Sequence, residues 1–81
     1  MNGALLDVNT LLALAWPNHQ FHDPARRWFR DHTGSWSTCA LTQLGFVRLS
    51  SNPAFTDQAR SPEDALALLQ AMCAHPRHLY I

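Results

Sequence analysis

Short apolar runs alternate along this chain with segments of helical length, and the junctions carry helix-start signals. That alternation restricts the fold more than any other feature. Ala4-Leu5-Leu6 is the first run, ending at Asp7. Its length fits a buried strand, although periodicity alone does not separate so short a run from a helix. Asn9 or Thr10 can then cap a helix over Leu11 to Trp16, which Pro17 stops. Asn18 to His22 reads as a loop. Asp23 is a suitable cap and Pro24 suits the first helical position. Ala25, Trp28, Phe29 and His32 then fall on one helical face, with Gly34 as the stop.

Ser35 to Cys39 reads as a second strand. Ala40 to Leu49 is ambiguous, because Gly45, Phe46 and Val47 are poor helix formers while Leu41, Leu44 and Val47 keep a spacing of three. Ser50-Ser51-Asn52-Pro53 is a loop that continues to Arg60. Ser61-Pro62-Glu63-Asp64 is the strongest local signal. A capping hydroxyl, a proline at the first position and two acids at the positive end of the helix dipole occur together. Ala65, Leu68, Leu69 and Met72 make the apolar face of that helix, and His75-Pro76 ends it. Leu79-Tyr80-Ile81 reads as a third strand. Strand, two helices, strand, one or two helices, strand implies an α/β domain with parallel strands.

Composition narrows the partners. The 81 residues are 47% hydrophobic and only 15% charged, against about a quarter in ordinary domains. So much apolar surface for so few charges points to an interface with another subunit, a partner, or a further part of the same domain. Six arginines balance six acids and there is no lysine, so no polybasic footprint steers a nucleic acid globally. Cys39 and Cys73 form no metal-ligand pattern, and with no secretory signal they are read as free thiols of a cytoplasmic protein. The Leu/Ala-rich start lacks preceding basic residues, is interrupted by Asp7 and Asn9, and is too short to span a bilayer. No membrane association is expected.

The chemistry centres on Asp7. In open parallel sheets ligands gather at the carboxyl ends of the strands. A carboxylate placed there, before a helix N-terminus, stays ionised and suits a hard cation such as Mg²⁺. The plainer role for the same residue is helix capping. His19 and His22 flank Phe21 but have no third clustered ligand, so they read as a solvated loop. Arg26, Arg27 and Arg30 could meet RNA phosphate or a partner's carboxylates, or simply form a solvated helix face. Trp16, Trp28, Trp36, Phe29 and Phe46 could stack on bases, but core packing is the simpler reading. No nucleophile elbow supports a Ser-His-Asp hydrolase.

Leu5-Leu6-Asp7-Val8-Asn9-Thr10-Leu11-Leu12-Ala13-Leu14 resembles the opening motif of PIN domains, a strand ending in Asp with Asn two residues on. The string from Cys39 to Leu49, followed by Ser51-Asn52-Pro53, resembles the third-helix region of VapC-type toxins. The Ser-Pro-Glu-Asp helix start and His75-Pro76-Arg77-His78 are also similar to that subfamily. The resemblance covers nearly the whole chain. It implies a three-layer fold, a parallel sheet with helices on both faces. Residues 1–81 would be the N-terminal portion of a single PIN domain, its C-terminal half absent.

The resemblance further implies a metal-dependent endoribonuclease toxin of a type II toxin–antitoxin system. It would hydrolyse phosphodiester bonds in RNA, with a cognate antitoxin as partner, and homodimers are common in the family. Several carboxylates would hold Mg²⁺ or Mn²⁺, lowering the pKa of a bound water and neutralising phosphate charge. Carried onto this chain, Asp7 is the metal ligand and catalytic carboxylate. Gln43 stands where the family often has Glu, and brings an amide oxygen but no charge. Asn9 and Arg48 are supporting or RNA-contacting positions. None of Asp23, Asp31, Asp57, Glu63 and Asp64 is an evident substitute for the family's later acids. One carboxylate rarely holds Mg²⁺, which gives up its water reluctantly. The alternative is therefore a catalytically inactive PIN remnant that keeps only an antitoxin-binding or self-association surface.

Overall fold

The computed structural model describes residues 3–56 and 58–81; Asp57 lies outside the described residues. In chain order the elements are β1 (Ala4–Leu5), α1 (Val8–Ala15), α2 (His22–Asp31), β2 (Trp36–Thr38), α3 (Ala40–Ser50), α4 (Pro62–Cys73) and β3 (His78–Tyr80). The strands form one sheet in the order β1-β2-β3, parallel throughout. This is the α/β architecture with a parallel sheet that the alternating sequence implied.

Four local expectations need adjusting. The first helix starts at Val8, capped by Asp7 rather than by Asn9 or Thr10. The Asp7 carboxylate reaches the third backbone N–H, and that bond fixes the start two residues early. The second helix starts at His22, before Asp23, and Phe21 at its cap position supplies no side-chain bond. That helix ends at Asp31, three residues short of Gly34. The ambiguous Ala40–Ser50 segment is a full helix. Burial of Phe46 (0% exposed) offsets its weak helical propensity: about 2 kcal/mol of transfer free energy against a few tenths. The Ser61 cap stands as read, its hydroxyl accepting from the Asp64 N–H at 3.1 Å, with Pro62 opening α4.

All four helices share one core. Leu6, Leu11, Leu12, Trp36, Phe46 and Leu69 are its buried centre, and Phe29 of α2 packs against it. β2 is buried along its whole length and Trp36 is 2% exposed. The Phe29 and Trp36 rings meet edge to face with centroids 5.5 Å apart, which ties α2 to the sheet. Trp16 stacks on Phe46 at 6.5 Å, and the Arg60 guanidinium lies 5.0 Å from the Trp16 ring centroid. The Trp16 indole N–H also donates to the buried Ser50 hydroxyl at 3.0 Å. The end of α1 and both ends of the 51–60 connection are thus pinned at one aromatic residue. Trp36 and Phe46 are core residues rather than base-stacking platforms; Trp28 is 41% exposed.

Gly45 explains how α1 and α3 come so close. A Cβ built there would lie 2.8 Å from a Val8 methyl. Valine is stiff about χ1 and cannot swing that methyl away cheaply. Gly45→Ala should therefore destabilise the chain by about 1–3 kcal/mol, even though alanine is the better helix former. Val8→Ala in the same chain should recover most of the loss. Urea unfolding of the two single variants and the double variant checks this.

Candidate metal and active site

Asp7 stands two residues past the end of β1 and turns the chain into α1. Its backbone is extended (φ −81°, ψ 173°), and its side chain is exposed. A carboxylate oxygen accepts from the Thr10 backbone N–H at 2.8 Å. That bond, with a smaller contribution from the Thr10 hydroxyl, holds the Asp7 carboxyl below its ordinary pKa. The group is thus ionised at the carboxyl edge of the sheet. Asn9 and Thr10 line the same open groove of about 610 Å³, with His19, Phe21 and Trp28 on its far side.

Gln43 lies in the first turn of α3, at the carboxyl end of β2. Its amide N–H group donates to the Thr38 hydroxyl at 2.8 Å and to the Cys73 sulfur at 3.8 Å. The Thr38 hydroxyl, fully buried, also bonds the His78 Nε2 at 2.8 Å. Gln43 is therefore held by a buried polar chain running across β2, β3, α3 and α4. It lines a separate groove of about 490 Å³ with Glu63, Leu66 and Tyr80. Asp7 and Gln43 share the carboxyl side of the sheet but no groove. Arg48 is exposed in the last turn of α3, about 7.5 Å of helix rise beyond Gln43. It stands away from Asp7's groove.

Sequence reading missed Thr38, His78, Cys73 and Glu63. The strand alternation could have found two of them. Thr38 pairs with Tyr80 and Trp36 with His78, so Thr38 and His78 lie diagonally on one face of neighbouring strands. Cys73 and Glu63 arrive by the packing of α4 on α3, which no local pattern records. Cys39 and Cys73 are free thiols, as read. At the start of α3 the Thr42 backbone N–H draws the Cys39 thiol down in pKa; burial pushes Cys73 up.

His19 in the loop and His22, the first residue of α2, are occupied locally. His19 Nδ1 accepts from the Phe21 N–H at 3.0 Å, and His22 Nδ1 lies 2.7 Å from the Ala13 carbonyl. Among the described residues no three His, Cys, Asp or Glu side chains converge to hold a metal ion. Asp7 has the right chemistry for a hard cation, but one carboxylate does not make a site, so the described residues alone do not fit a bound divalent ion. Among those residues, no helix is long and apolar enough to cross a membrane.

Two outcomes follow from this geometry. Asp7's depressed pKa means its stabilisation is present above the ordinary carboxylate value near 4 and fades as pH falls toward the lowered folded value. Asp7→Asn keeps a capping oxygen and should flatten that acid limb of the stability–pH curve while changing neutral-pH stability little. Asp7→Ala should cost about 1 kcal/mol at neutral pH. Thr38→Val conserves shape but removes the partner of the His78 ring nitrogen and leaves the Gln43 amide only the Cys73 sulfur. It should cost about 1–3 kcal/mol in denaturant unfolding.

Known relatives cover almost all of this chain. It is 44% identical over 78 residues to ribonuclease VapC39 of Mycobacterium tuberculosis, spanning 95% of this chain and 56% of that protein. Ribonuclease VapC38 of the same organism is 46% identical over 79 residues, 96% of this chain and 56% of that protein. Ribonuclease VapC44 is 43% identical over 76 residues, 93% and 52% respectively. The chain thus spans about half the length of the curated relatives it matches. No family model matches it. With identity at this level along nearly every residue, on an α/β frame with a parallel sheet, the chain belongs to the VapC family of PIN-domain proteins.

Proposed function

We propose that this chain is the N-terminal portion of a single PIN domain, residues 1–81, and contributes Asp7 to a metal-dependent endoribonuclease toxin. The observation that carries the reading is an exposed, ionised carboxylate where β1 ends and α1 begins. Crevices at the carboxyl ends of parallel strands are where α/β folds bind ligands. The names of the relatives give the reaction class, cleavage of RNA. Asp7 would supply one ligand to a Mg²⁺ or Mn²⁺ ion, with the remaining carboxylates coming from the rest of the domain. Such an ion would lower the pKa of a bound water and offset phosphate charge. Asn9 supports the groove beside Asp7. Gln43, its amide N–H group committed to Thr38, offers its carbonyl oxygen. Arg48, Arg26, Arg27 and Arg30 are cations for RNA phosphate or for acidic groups of a cognate antitoxin. A homodimer and a cytoplasmic location complete the reading.

A second reading is favoured by the lone carboxylate: a remnant without catalysis that keeps an association surface. The two part on Asp7. Mn²⁺ added to the isotope-labelled chain should broaden the amide signals of Asp7 to Thr10 first, weakly and at high ion concentration, and Asp7→Asn should abolish this. Any Mg²⁺-dependent RNA cleavage by the chain should likewise vanish in Asp7→Asn and with a chelator. No selective broadening, or equal cleavage by both proteins, overturns the site.

A further inference from the structure

Asp7 shares its groove with aromatic side chains that the core does not use. Phe21 and Trp28 line the far side of that space of about 610 Å³, and His19 lies with them. Phe21 is 57% and Trp28 41% exposed. Neither exposure follows from a local task. Phe21 stands at the cap position of α2 without a side-chain bond, and the core takes Phe29 from that helix instead of Trp28. Two large rings left in water on one wall of one groove make a surface suited to a flat apolar partner.

Both rings are backed by a histidine. His32 stacks on Trp28 with centroids 4.9 Å apart and planes 15° from parallel. A planar ring has two faces, so the indole keeps one for a further ring. The His19 and Phe21 rings meet at 5.9 Å, tilted by 46°. His19 Nδ1 accepts from the Phe21 N–H at 3.0 Å, so a neutral His19 carries its proton on Nε2, a donor suited to the edge of a base. Rings fixed in this way lose little freedom when a ligand arrives.

Charge decides what such a groove takes. Among the described residues no arginine lines it, while Arg26, Arg27 and Arg30 line a different one with Asp23. The Asp7 carboxylate repels phosphate wherever no cation stands between them. The aromatic wall therefore offers its π faces to an uncharged ring. The nucleobase is the part of an RNA that fits, because every base has a π face to stack. A base inside a duplex has both faces covered, so the base must be unpaired. Spacing agrees. Ala13 lies about 9 Å of helix rise along α1 from Asp7. Its carbonyl is 2.7 Å from Nδ1 of His22, the residue after Phe21. The aromatic wall thus sits past the phosphate at Asp7, opposite a neighbouring nucleotide.

We propose, on the reading of this groove as an RNA site, that Phe21 and Trp28 are its stacking residues and hold an unpaired base next to the phosphate that Asp7 serves. They grip the base by its face, and its identity matters only through the strength of the stack. Binding to the full chain in EDTA is compared, by fluorescence anisotropy, between a labelled hexamer of adenylate and an abasic ribose-phosphate hexamer of the same charge. With no divalent ion present, the adenylate hexamer should bind at least about fivefold more tightly. Phe21→Leu and Trp28→Leu keep apolar bulk but remove the ring, and each should erase most of that preference. Trp28→Phe should retain part of it. Loss of folding weakens both oligomers alike, so the ratio of the two affinities isolates the stack. Phe21 is exposed, so Phe21→Leu keeps the measurement decisive even if Trp28→Leu loosens α2. Phe55→Leu, at a ring 50% exposed outside this groove, should leave the ratio unchanged. Equal affinity for the two oligomers, as a groove that serves a protein partner would show, overturns the assignment. So does binding of neither, a preference that survives both ring removals, or one that Phe55→Leu removes as well. A preference lost in both variants upholds the wall even where Mg²⁺-dependent cleavage is absent; that absence counts against the ribonuclease reading alone.

Discussion

Everything in this molecule depends on the burial of one three-residue strand. β2 pairs with β1 on one side and β3 on the other, and Trp36, Ser37 and Thr38 are all buried. Remove its two ladders and, among the described residues, neither flanking strand has another partner. Trp36 gathers Phe29, His75 and His78 around its ring, joining the ends of α2 and α4 to the sheet. Thr38, two residues on and on the same face, gathers Gln43 and His78 by hydrogen bonds. The strand thus has an aromatic end and a polar end. The aromatic end supplies cohesion, and the polar end orients side chains at the edge where strands deliver functional groups.

That division explains why Asp7 and Gln43 differ so much in character. Asp7 is fixed by a local bond within one helical turn, leaving its carboxylate ionised and in contact with solvent. Gln43 is fixed by contacts from two other elements, Thr38 of β2 and Cys73 of α4. A carboxylate at position 43 could not donate to Thr38 as the amide does, so the threonine hydroxyl would have to turn and donate instead. The neutral residue is therefore matched to its neighbours as well as to its place in the chain. The low charge content shows at larger scale in the sheet, where Leu5 and Leu79 stand exposed in register on either side of Ser37.

The sequence by itself determined the elements and their order. Ser61-Pro62-Glu63-Asp64 starts α4 because its cap, its proline and its acids act within one turn. The runs at Ala4-Leu5-Leu6 and Leu79-Tyr80-Ile81 read as strands because they are short and apolar, and Ser35 to Cys39 because it is short and carries the strand-favouring Trp36 and Thr38. The exposed position of Asp7 was legible for the same reason: a carboxylate between a strand and a helix is a local pattern. Only the tertiary structure decided what non-local contacts control. It made a helix of Ala40–Ser50, because Phe46 reaches the core and Gly45 lets Val8 approach. It linked Thr38, His78, Gln43 and Cys73, which are separated by up to 40 positions along the chain. It also left Leu5 and Leu79 exposed in register, a fact about strand pairing that no window of sequence contains.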